Sequence, residues 1–391
     1  MRLSITTAVV LAILAAPALA AGPVRARDLG VPFDGTPGPL NAITDVAGVE
    51  VGHKTLIRGS GKRIRGEGPV RTGVTAILPR GRTYDPVFAG WHSLNGNGEM
   101  TGTTWLTESG FLEGPVMITN THSVGVVHDA VIEWQVKHEF YEDLPGEPGV
   151  FWSLPVVAET YDGDLNDING FHVTTQDATD ALDAAKPGPV AEGNVGGGTG
   201  MITHEFKGGI GTASRVLDKE KGGYVVGALV QSNYGIRKTM RIAGVPIGEE
   251  IPDLLPGVAR TEEKGSIIVV VATDAPLLPH QLRRVAQRAS LALGRMGSYA
   301  SNGSGDIFIA FSTANAKAAD RLRNQTVEFV PNDGMGPIFL AAVEATEEAI
   351  VNALVAAETM TGANGFMAHE LPHERLRAVL RKHGRLVEKA R

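Results

Sequence analysis

The sequence Gly265-Ser-Ile-Ile-Val-Val-Val-Ala272 guides the interpretation of this chain of 391 residues. Its six apolar residues follow one another without a polar break, which is typical of a strand buried on both faces. The polar residues 260–264 precede it and predict an exposed linker. Ser266 therefore stands at the first position of a core strand, directly after a glycine and an exposed segment.

A serine in this position becomes an N-terminal nucleophile if the bond before it breaks. Its hydroxyl can attack the carbonyl of Gly265, which has no side chain to shield it and tolerates strained angles. Water then opens the resulting ester, and the freed α-amine, with a reference pKa of about 7.7–8.0, can accept the hydroxyl proton. A Gly-Ser pair before a strand is also common without this chemistry, so the pair alone does not establish self-cleavage.

A second polar group follows further along the chain. After a predicted helix, Ser301-Asn-Gly-Ser-Gly-Asp306 leads into another apolar strand. A strand–helix–loop–strand path can return this loop to the start of the first strand. We therefore expect Ser304 and Asp306 to lie near Ser266 and to orient its amine, although an ordinary Asn-Gly turn is the alternative.

Composition limits the possible functions. The chain is 43% apolar and 20% charged, as expected for a globular protein with a sizeable core. Its net charge is −7 and it has no basic stripe, which argues against a nucleic-acid partner. It has no cysteine, which excludes thiol nucleophiles, disulfides and cysteine-ligated metals.

The N-terminus predicts a signal peptide over residues 1–20. Met1-Arg2 is followed by the apolar residues 8–16 and by Ala18-Leu-Ala20, a small-x-small cleavage site. A retained membrane anchor is the alternative, but the apolar run is too short to span a bilayer. We expect a mature protein that starts near Ala21, is periplasmic or secreted, and is not bound to a membrane.

Strands and helices are predicted to interleave, which favours layered sheets with helices outside. The polar linker 251–264 divides the chain, but neither part has a complete sheet in this interpretation, so residues 21–391 are expected to form one domain. The predicted strands are 49–51, 74–78, 116–119, 154–158, 224–230, 267–272 and 307–311, and the predicted helices are 123–137, 279–297, 337–359 and one from Pro372 that carries Leu386.

Two further motifs resemble known sites. His369-Glu-Leu-Pro-His373 matches the zinc pattern H-E-x-x-H, but Pro372 breaks the helix that the pattern needs, so we expect a turn and no metal. The glycine-rich residues 193–200 fit neither a dinucleotide nor a phosphate-binding loop. They allow close approach of the backbone to a ligand or to another backbone segment, and both possibilities stay open. No G-x-S-x-G motif supports a serine triad.

Residues 265–282 resemble the self-cleaving segment of the L-aminopeptidase/D-amidase-esterase family, which includes the β-peptidyl aminopeptidases. Several other blocks are similar to this family in the same order, and the resemblance covers most of the mature chain. These blocks are residues 41–53, 73–77, 192–201 and 359–364.

The resemblance implies an α+β fold, a four-layer αββα sandwich like those of N-terminal nucleophile hydrolases and ornithine acetyltransferases. It also implies cleavage into an α chain, 21–265, and a β chain, 266–391. Ser266 matches the nucleophile of the family, and Ser304 and Asp306 match its supporting hydroxyl and acid. Relatives can have Glu at the acidic position, so the shorter Asp306 makes a different contact possible.

The resemblance assigns roles to three residues before the linker. Tyr161 and Asn233 are similar to donors that stabilise the oxyanion, and Glu159 is the candidate acceptor for the ammonium group of the substrate. Read without the resemblance, they are a core tyrosine, a turn asparagine and a structural ion-pair partner.

The expected function is an autoproteolytically activated serine aminopeptidase. Its substrates would be short peptides, amides or esters with a free amino end, the N-terminal residue being an α-L-amino acid, a D-amino acid amide or ester, or a β-amino acid. No cofactor or metal is expected, and the resemblance implies a homo-oligomer of αβ units, a tetramer. The alternatives are an acyltransferase like the ornithine acetyltransferases and an uncleaved, non-enzymatic periplasmic binding protein.

Overall fold

The computed structural model describes residues 24–257 and 261–388, so the predicted signal peptide lies outside the described residues. The strands are β1 (Glu50–Arg58), β2 (Val70–Arg82), β3 (Val87–Ser93), β4 (Phe111–Leu112), β5 (Val116–Asn120), β6 (Val156–Thr160), β7 (Ile202–Thr203), β8 (Phe206–Lys207), β9 (Gly209–Val216), β10 (Val225–Asn233), β11 (Gly265–Thr273), β12 (Ser304–Ser312), β13 (Met360–Thr361) and β14 (Met367–Ala368). The α-helices are α1 (Thr103–Ser109), α2 (Val124–Lys137), α3 (Thr175–Asp183), α4 (Ile247–Glu250), α5 (Pro279–Arg295), α6 (Gly336–Val355) and α7 (His373–Lys382).

Two large sheets organise the described residues. One has the strand order β1-β2-β5-β6, and the other has the order β4-β3-β12-β11-β10-β9. The second sheet takes strands from both sides of the linker 251–264, since β10 precedes it and β11 and β12 follow it. Strand β11 therefore lies inside this sheet, antiparallel to β10 and parallel to β12.

Three apolar cores separate four layers. The first lies between the six-stranded sheet and helices α5 and α6, the second lies between the two sheets, and the third lies between the four-stranded sheet and helices α2 and α3. This is the αββα sandwich that the family resemblance implied. Strand β11 shows why its apolar run is unbroken: Ile267 and Val269 face the first core, whereas Ile268 and Val270 face the second.

The local sequence patterns predicted most of these elements. Each of the seven predicted strands overlaps an observed strand, and the helices predicted from 123 and 279 are α2 and α5. Two helix ends are corrected. Helix α6 ends at Val355, because the chain then turns into the β13–β14 hairpin, and α7 ends at Lys382, before Leu386.

Among the described residues, no helix combines the length and the apolar character needed to cross a bilayer.

Candidate active site

The predicted nucleophile lies at the start of β11, inside the six-stranded sheet. Ser266 pairs with Asn233 of β10 on one side and with Gly305 of β12 on the other. The expected strand–helix–loop–strand return is observed, because α5 carries the chain from β11 to the parallel neighbour β12. The six-stranded sheet thus brings together residues from three separate parts of the sequence.

Gly265 occupies a position that only glycine fits. Its φ is +105°, and a Cβ atom there would lie 1.8 Å from the backbone oxygen of Asn233. Such a contact is far inside van der Waals distance, and a side chain at positive φ adds strain. The glycine before the serine is therefore required by the close packing of β11 against β10.

Ser266 is only 6% exposed. Its Oγ accepts a hydrogen bond from the backbone N–H of Gly305 at 3.1 Å. Since a hydroxyl both donates and accepts, this contact leaves the proton of Ser266 free to be transferred.

Ser304 and Asp306 lie on β12, on either side of Gly305, the residue opposite Ser266. Ser304 is opposite Gly265, and Asp306 is opposite Ile267, so the two positions flank the backbone nitrogen of Ser266. Both residues are fully buried, and Ser304 Oγ and Asp306 Oδ1 have no hydrogen-bond partner among the described residues. Unpaired buried polar atoms are uncommon and cost about 1–3 kcal/mol each.

The side chains of these residues point to opposite faces of the sheet. Ser266 has the parity of Ile268, which faces the core between the sheets, whereas Asp306 has the parity of Phe308, which faces helices α5 and α6. The structure therefore brings Ser304 and Asp306 beside the backbone of Ser266 and not beside its hydroxyl.

Asn95 holds Asp306 in place, and sequence analysis missed it. Asn95 Nδ2 donates to Asp306 Oδ2 at 3.1 Å, and Asn95 Oδ1 accepts from the backbone N–H of Asp306 at 2.6 Å. Burial raises the pKa of Asp306 to about 7, and the charge of Glu263 adds to this rise, whereas the bond from Asn95 and the nearby backbone N–H of Ile267 oppose it. Asn95 stands in an Asn-Gly-rich segment that predicts only a turn, so nothing local identified this contact.

Asn233 and Tyr161 meet next to the start of β11. Asn233 Nδ2 donates to the backbone oxygen of Tyr161 at 2.8 Å, and Asn233 Oδ1 accepts from the N–H of Ile202 at 2.8 Å. These bonds fix the carboxamide and leave its second N–H free to donate. The Tyr161 side chain is 47% exposed, so it is not the core tyrosine that was the alternative, and burial of its inner part raises its pKa.

The Glu159 carboxylate lies close to β12, the strand that pairs with β11 at Ser266, with Gly98 between them. A Cβ atom at Gly98 would lie 3.1 Å from Gly305 Cα and 3.4 Å from Glu159 Oε1, so Gly98 separates the two. The Glu159 carboxylate accepts from the backbone N–H of Glu99 at 3.0 Å and from the hydroxyl of Thr121. Burial raises its pKa, and both bonds oppose that rise. It has no ion-pair partner among the described residues, which leaves it available for a cationic group.

The glycine-rich residues 193–200 are a packing element. Residues Gly196–Gly200 form a buried 3₁₀ turn, and a Cβ at Gly198 would lie 2.4 Å from the backbone nitrogen of Ile210. The buried ammonium of Lys207 donates to the carbonyl oxygens of Gly198, Met201 and Gly208 at 3.3, 2.9 and 2.7 Å. The turn therefore packs against the backbone of Ile210 and against the buried side chain of Lys207.

The H-E-x-x-H motif is not helical. Helix α7 begins at His373, after Pro372, and His369 precedes it. His373 Nε2 contacts the backbone oxygen of Val355 at 2.9 Å. Within residues 24–257 and 261–388, no group of three or more metal-ligating side chains is present.

A nucleophile at the head of a core strand, in a four-layer sandwich, defines the class of N-terminal nucleophile hydrolases. The chain belongs to peptidase family S58, whose model matches residues 41–368. It is a self-processing serine aminopeptidase, as the family resemblance implied. Membership of a peptidase family excludes the non-enzymatic binding protein and favours hydrolysis over acyl transfer.

Characterised relatives agree with this class. The chain is 58% identical to β-peptidyl aminopeptidase BapA of Sphingosinicella microcystinivorans, over 96% of each chain. It is 49% identical to β-peptidyl aminopeptidase BapA of Sphingosinicella xenopeptidilytica, over 97% of this chain and 96% of the relative.

Solved structures show the same fold. The L-aminopeptidase D-Ala-esterase/amidase of Ochrobactrum anthropi, described as a prototype of the serine aminopeptidases and a variant of the Ntn hydrolase fold, matches with a TM-score of 0.85 and 52% identity, over 93% of this chain and 99% of that one. A β-aminopeptidase of Burkholderia sp. matches with a TM-score of 0.83 and 49% identity, over 94% and 100%.

Proposed function

We propose that this protein cleaves itself between Gly265 and Ser266 and that Ser266 then acts as the nucleophile of an aminopeptidase. The observation that carries the proposal is the pair of unpartnered, buried polar atoms, Ser304 Oγ and Asp306 Oδ1, on either side of the Ser266 nitrogen. A peptide nitrogen offers one N–H, whereas an α-ammonium offers three. Cleavage therefore creates the donors that these two buried atoms lack.

In self-cleavage, the Ser266 hydroxyl attacks the carbonyl carbon of Gly265. A C–O bond forms, the C–N bond breaks, and the hydroxyl proton moves to the departing nitrogen. Water then hydrolyses the ester and releases the carboxylate of Gly265 and the hydroxyl of Ser266. The products are an α chain of residues 21–265 and a β chain of residues 266–391.

In turnover, the neutral α-amine of Ser266 accepts the proton of its own hydroxyl as the oxygen attacks the substrate carbonyl. The free N–H of Asn233 and the phenol of Tyr161 stabilise the oxyanion. The amine of Ser266 passes its proton to the leaving group, and water then hydrolyses the acyl-enzyme. Asp306 and Ser304 orient the amine by hydrogen bonds from one face of the sheet, while the Ser266 hydroxyl lies on the other face. Their position therefore suits this role, because they hold the amine without blocking the hydroxyl.

The substrate is proposed to be a peptide or amide with a free amino end, with the ammonium group bound by Glu159. Glu159 forms no ion pair within the described residues, where His122 only lowers its pKa from a distance, and this supports the role because a buried charge without a close partner is costly. A β-amino acid at the amino end is the proposed preference, because the curated relatives at 58% and 49% identity are β-peptidyl aminopeptidases.

The deciding experiment is Ser266→Ala. We expect a single chain on a denaturing gel and a loss of activity on the order of 10⁶-fold, as when other serine hydrolases lose their nucleophile. The wild-type protein should show two chains, and N-terminal sequencing of the smaller one should begin at Ser266. Two chains in Ser266→Ala, or a different first residue, would refute the assignment.

A second variant tests the oxyanion site. Asn233→Ala should lower kcat by about 10²–10³-fold with little change in KM, because the lost donor acts on the transition state. The assay is hydrolysis of a β-aminoacyl p-nitroanilide by the cleaved protein. Unchanged kcat would remove Asn233 from this role.

Secretion and assembly are further parts of the proposal. The apolar N-terminal segment with its small-x-small site supports removal of residues 1–20 and a periplasmic or secreted location. The family resemblance supports a homo-oligomer of αβ units, a tetramer, which light scattering of the purified protein would measure.

A further inference from the structure

Of residues 261–264, which lead into β11, one is buried. Thr261, Glu262 and Lys264 are exposed or solvent-facing, whereas Glu263 is only 1% exposed. Burying a carboxylate costs free energy unless hydrogen bonds replace its water. A single buried acid in an otherwise exposed segment therefore needs an explanation.

Four hydrogen bonds connect Glu263 to the loop between α5 and β12. The side chain accepts from the hydroxyl of Ser298 at 2.5 Å and from the backbone N–H of Tyr299 at 2.9 Å. The backbone N–H of Glu263 donates to the phenol oxygen of Tyr299 at 2.9 Å, and its backbone oxygen accepts from the hydroxyl of Ser301 at 2.5 Å. Both the main chain and the side chain of Glu263 are thus held.

The same loop leads directly into the functional residues of β12. Ser301 is three residues before Ser304, which pairs with Gly265. Only Lys264 separates Glu263 from Gly265, and two residues of extended chain span at most about 7 Å. Fixing Glu263 to the loop therefore fixes the carbonyl of Gly265 relative to Ser304 and Asp306.

We propose that Glu263 is a positioning residue for self-cleavage, which holds the scissile Gly265–Ser266 bond in place through its hydrogen bonds to Ser298, Tyr299 and Ser301. This inference rests on the proposed cleavage at that bond. Intramolecular attack depends steeply on the position of the reacting atoms, and a displacement of about 1 Å can cost about 10²-fold in rate. A connector held at Glu263 supplies this restraint at a point that never touches the reacting atoms.

The test measures the first-order rate of self-cleavage of the full chain, labelled during a short pulse of cell-free synthesis and followed on denaturing gels. Glu263→Ala should slow cleavage at least about tenfold. Glu263→Gln should stay within about threefold of wild type, because the amide oxygen can accept from the N–H of Tyr299 while the amide nitrogen donates to Ser298 Oγ. Glu262→Ala, at the exposed neighbour, should cleave at the wild-type rate.

A purely structural role makes a different prediction. It would lower the unfolding temperature of the uncleavable Ser266→Ala protein when Glu263→Ala is added, without slowing cleavage at temperatures where the chain is folded. If Glu263→Ala does not fold, Ser301→Ala replaces it, since this change removes one hydroxyl and should slow cleavage severalfold.

Several results would overturn the inference. These are wild-type cleavage rates in Glu263→Ala, equal slowing in Glu263→Ala and Glu263→Gln, or wild-type rates in Ser301→Ala. A wild-type chain that is not cut between Gly265 and Ser266 would instead refute the proposed function itself.

Discussion

Two glycine-dependent regions of this molecule differ in one respect that matters for function. At the start of β11, Gly265 packs against the backbone of Asn233, and Ser304 Oγ and Asp306 Oδ1 are buried without a hydrogen-bond partner in the part of the chain that the structure describes. In the turn Gly196–Gly200, Gly198 packs as closely against the backbone of Ile210, and its carbonyl oxygen accepts from Lys207 Nζ. An atom there without a partner among the described residues is Gln231 Oε1, a side-chain oxygen beside Gly197.

The comparison separates close packing from chemistry. Close backbone approach explains why both regions need glycine, so glycine content does not distinguish them. Unpaired buried polar atoms occur in both regions of the described chain, so the difference lies in what these atoms face: Ser304 Oγ and Asp306 Oδ1 lie beside the main-chain nitrogen of Ser266, whereas Gln231 Oε1 lies against Gly197 in the turn. A peptide nitrogen that becomes an ammonium group can supply donors to the first pair, and no such change is proposed at the turn.

Among the changes that test this comparison, Gly265→Ala has the largest expected effect. The new Cβ would lie 1.8 Å from the oxygen of Asn233 and would require a φ near +105°. The start of β11 must shift, so we expect self-cleavage to slow by at least about 100-fold. The rate is measured on denaturing gels as the disappearance of the uncleaved chain with time.

Gly303→Ala is the matched control for this prediction. Gly303 lies in the loop before β12, and a Cβ there would meet no atom within 4 Å. It should cleave at the wild-type rate. Rapid cleavage of Gly265→Ala would show that the junction tolerates a side chain, which would contradict the claim that close packing requires glycine there.

Gly198→Ala tests the other region and should act on stability. Its Cβ would lie 2.4 Å from the nitrogen of Ile210, and such overpacking costs about 1–3 kcal/mol. We expect a lower unfolding temperature by calorimetry, with self-cleavage still complete on a gel. A folded, fully cleaved Gly198→Ala protein without activity would instead indicate that the turn contributes to substrate binding.

The most localised expected effect is a change in the pH dependence of stability at Asp306. Its pKa is raised by burial to about 7 in the folded state, against a reference near 3.9, so the folded chain binds the extra proton between these values. This contribution makes unfolding free energy fall as pH rises from about 4 to about 7, by at most about 1.4 kcal/mol per pH unit. Asp306→Asn in the uncleavable Ser266→Ala chain should remove that part of the slope.

Urea unfolding at several pH values measures this slope. Taking the difference between the slopes of the two variants removes the contributions of other titrating groups. One of these is the buried Asp162, since burial raises its pKa to about 7 as well. Equal slopes with and without Asp306→Asn would mean that Asp306 is already ionised in the uncleaved chain. Its charge would then be stabilised without the α-ammonium of Ser266, which would contradict the proposed role.

Local patterns predicted much of the fold because they depend on short-range periodicity. The apolar run of β11 and the helical spacing of α5 place Ser266 and the return path to β12 correctly. The same reasoning missed Asn95 and Glu263, since neither an Asn-Gly segment nor a polar linker reveals which distant backbone it will contact. It also did not predict that Ser304 and Asp306 lie on the opposite face from the Ser266 hydroxyl.

The sequence by itself determined half of the described strands, the main helices and the serine that begins a core strand, because each depends on neighbours a few residues away. Only the tertiary structure decided which unpaired polar atoms lie beside the nitrogen of Ser266, which loop holds Glu263, and which side of the sheet each group faces. These features follow from strand register and from the packing of layers, which join residues such as Asn95 and Asp306 across more than two hundred positions.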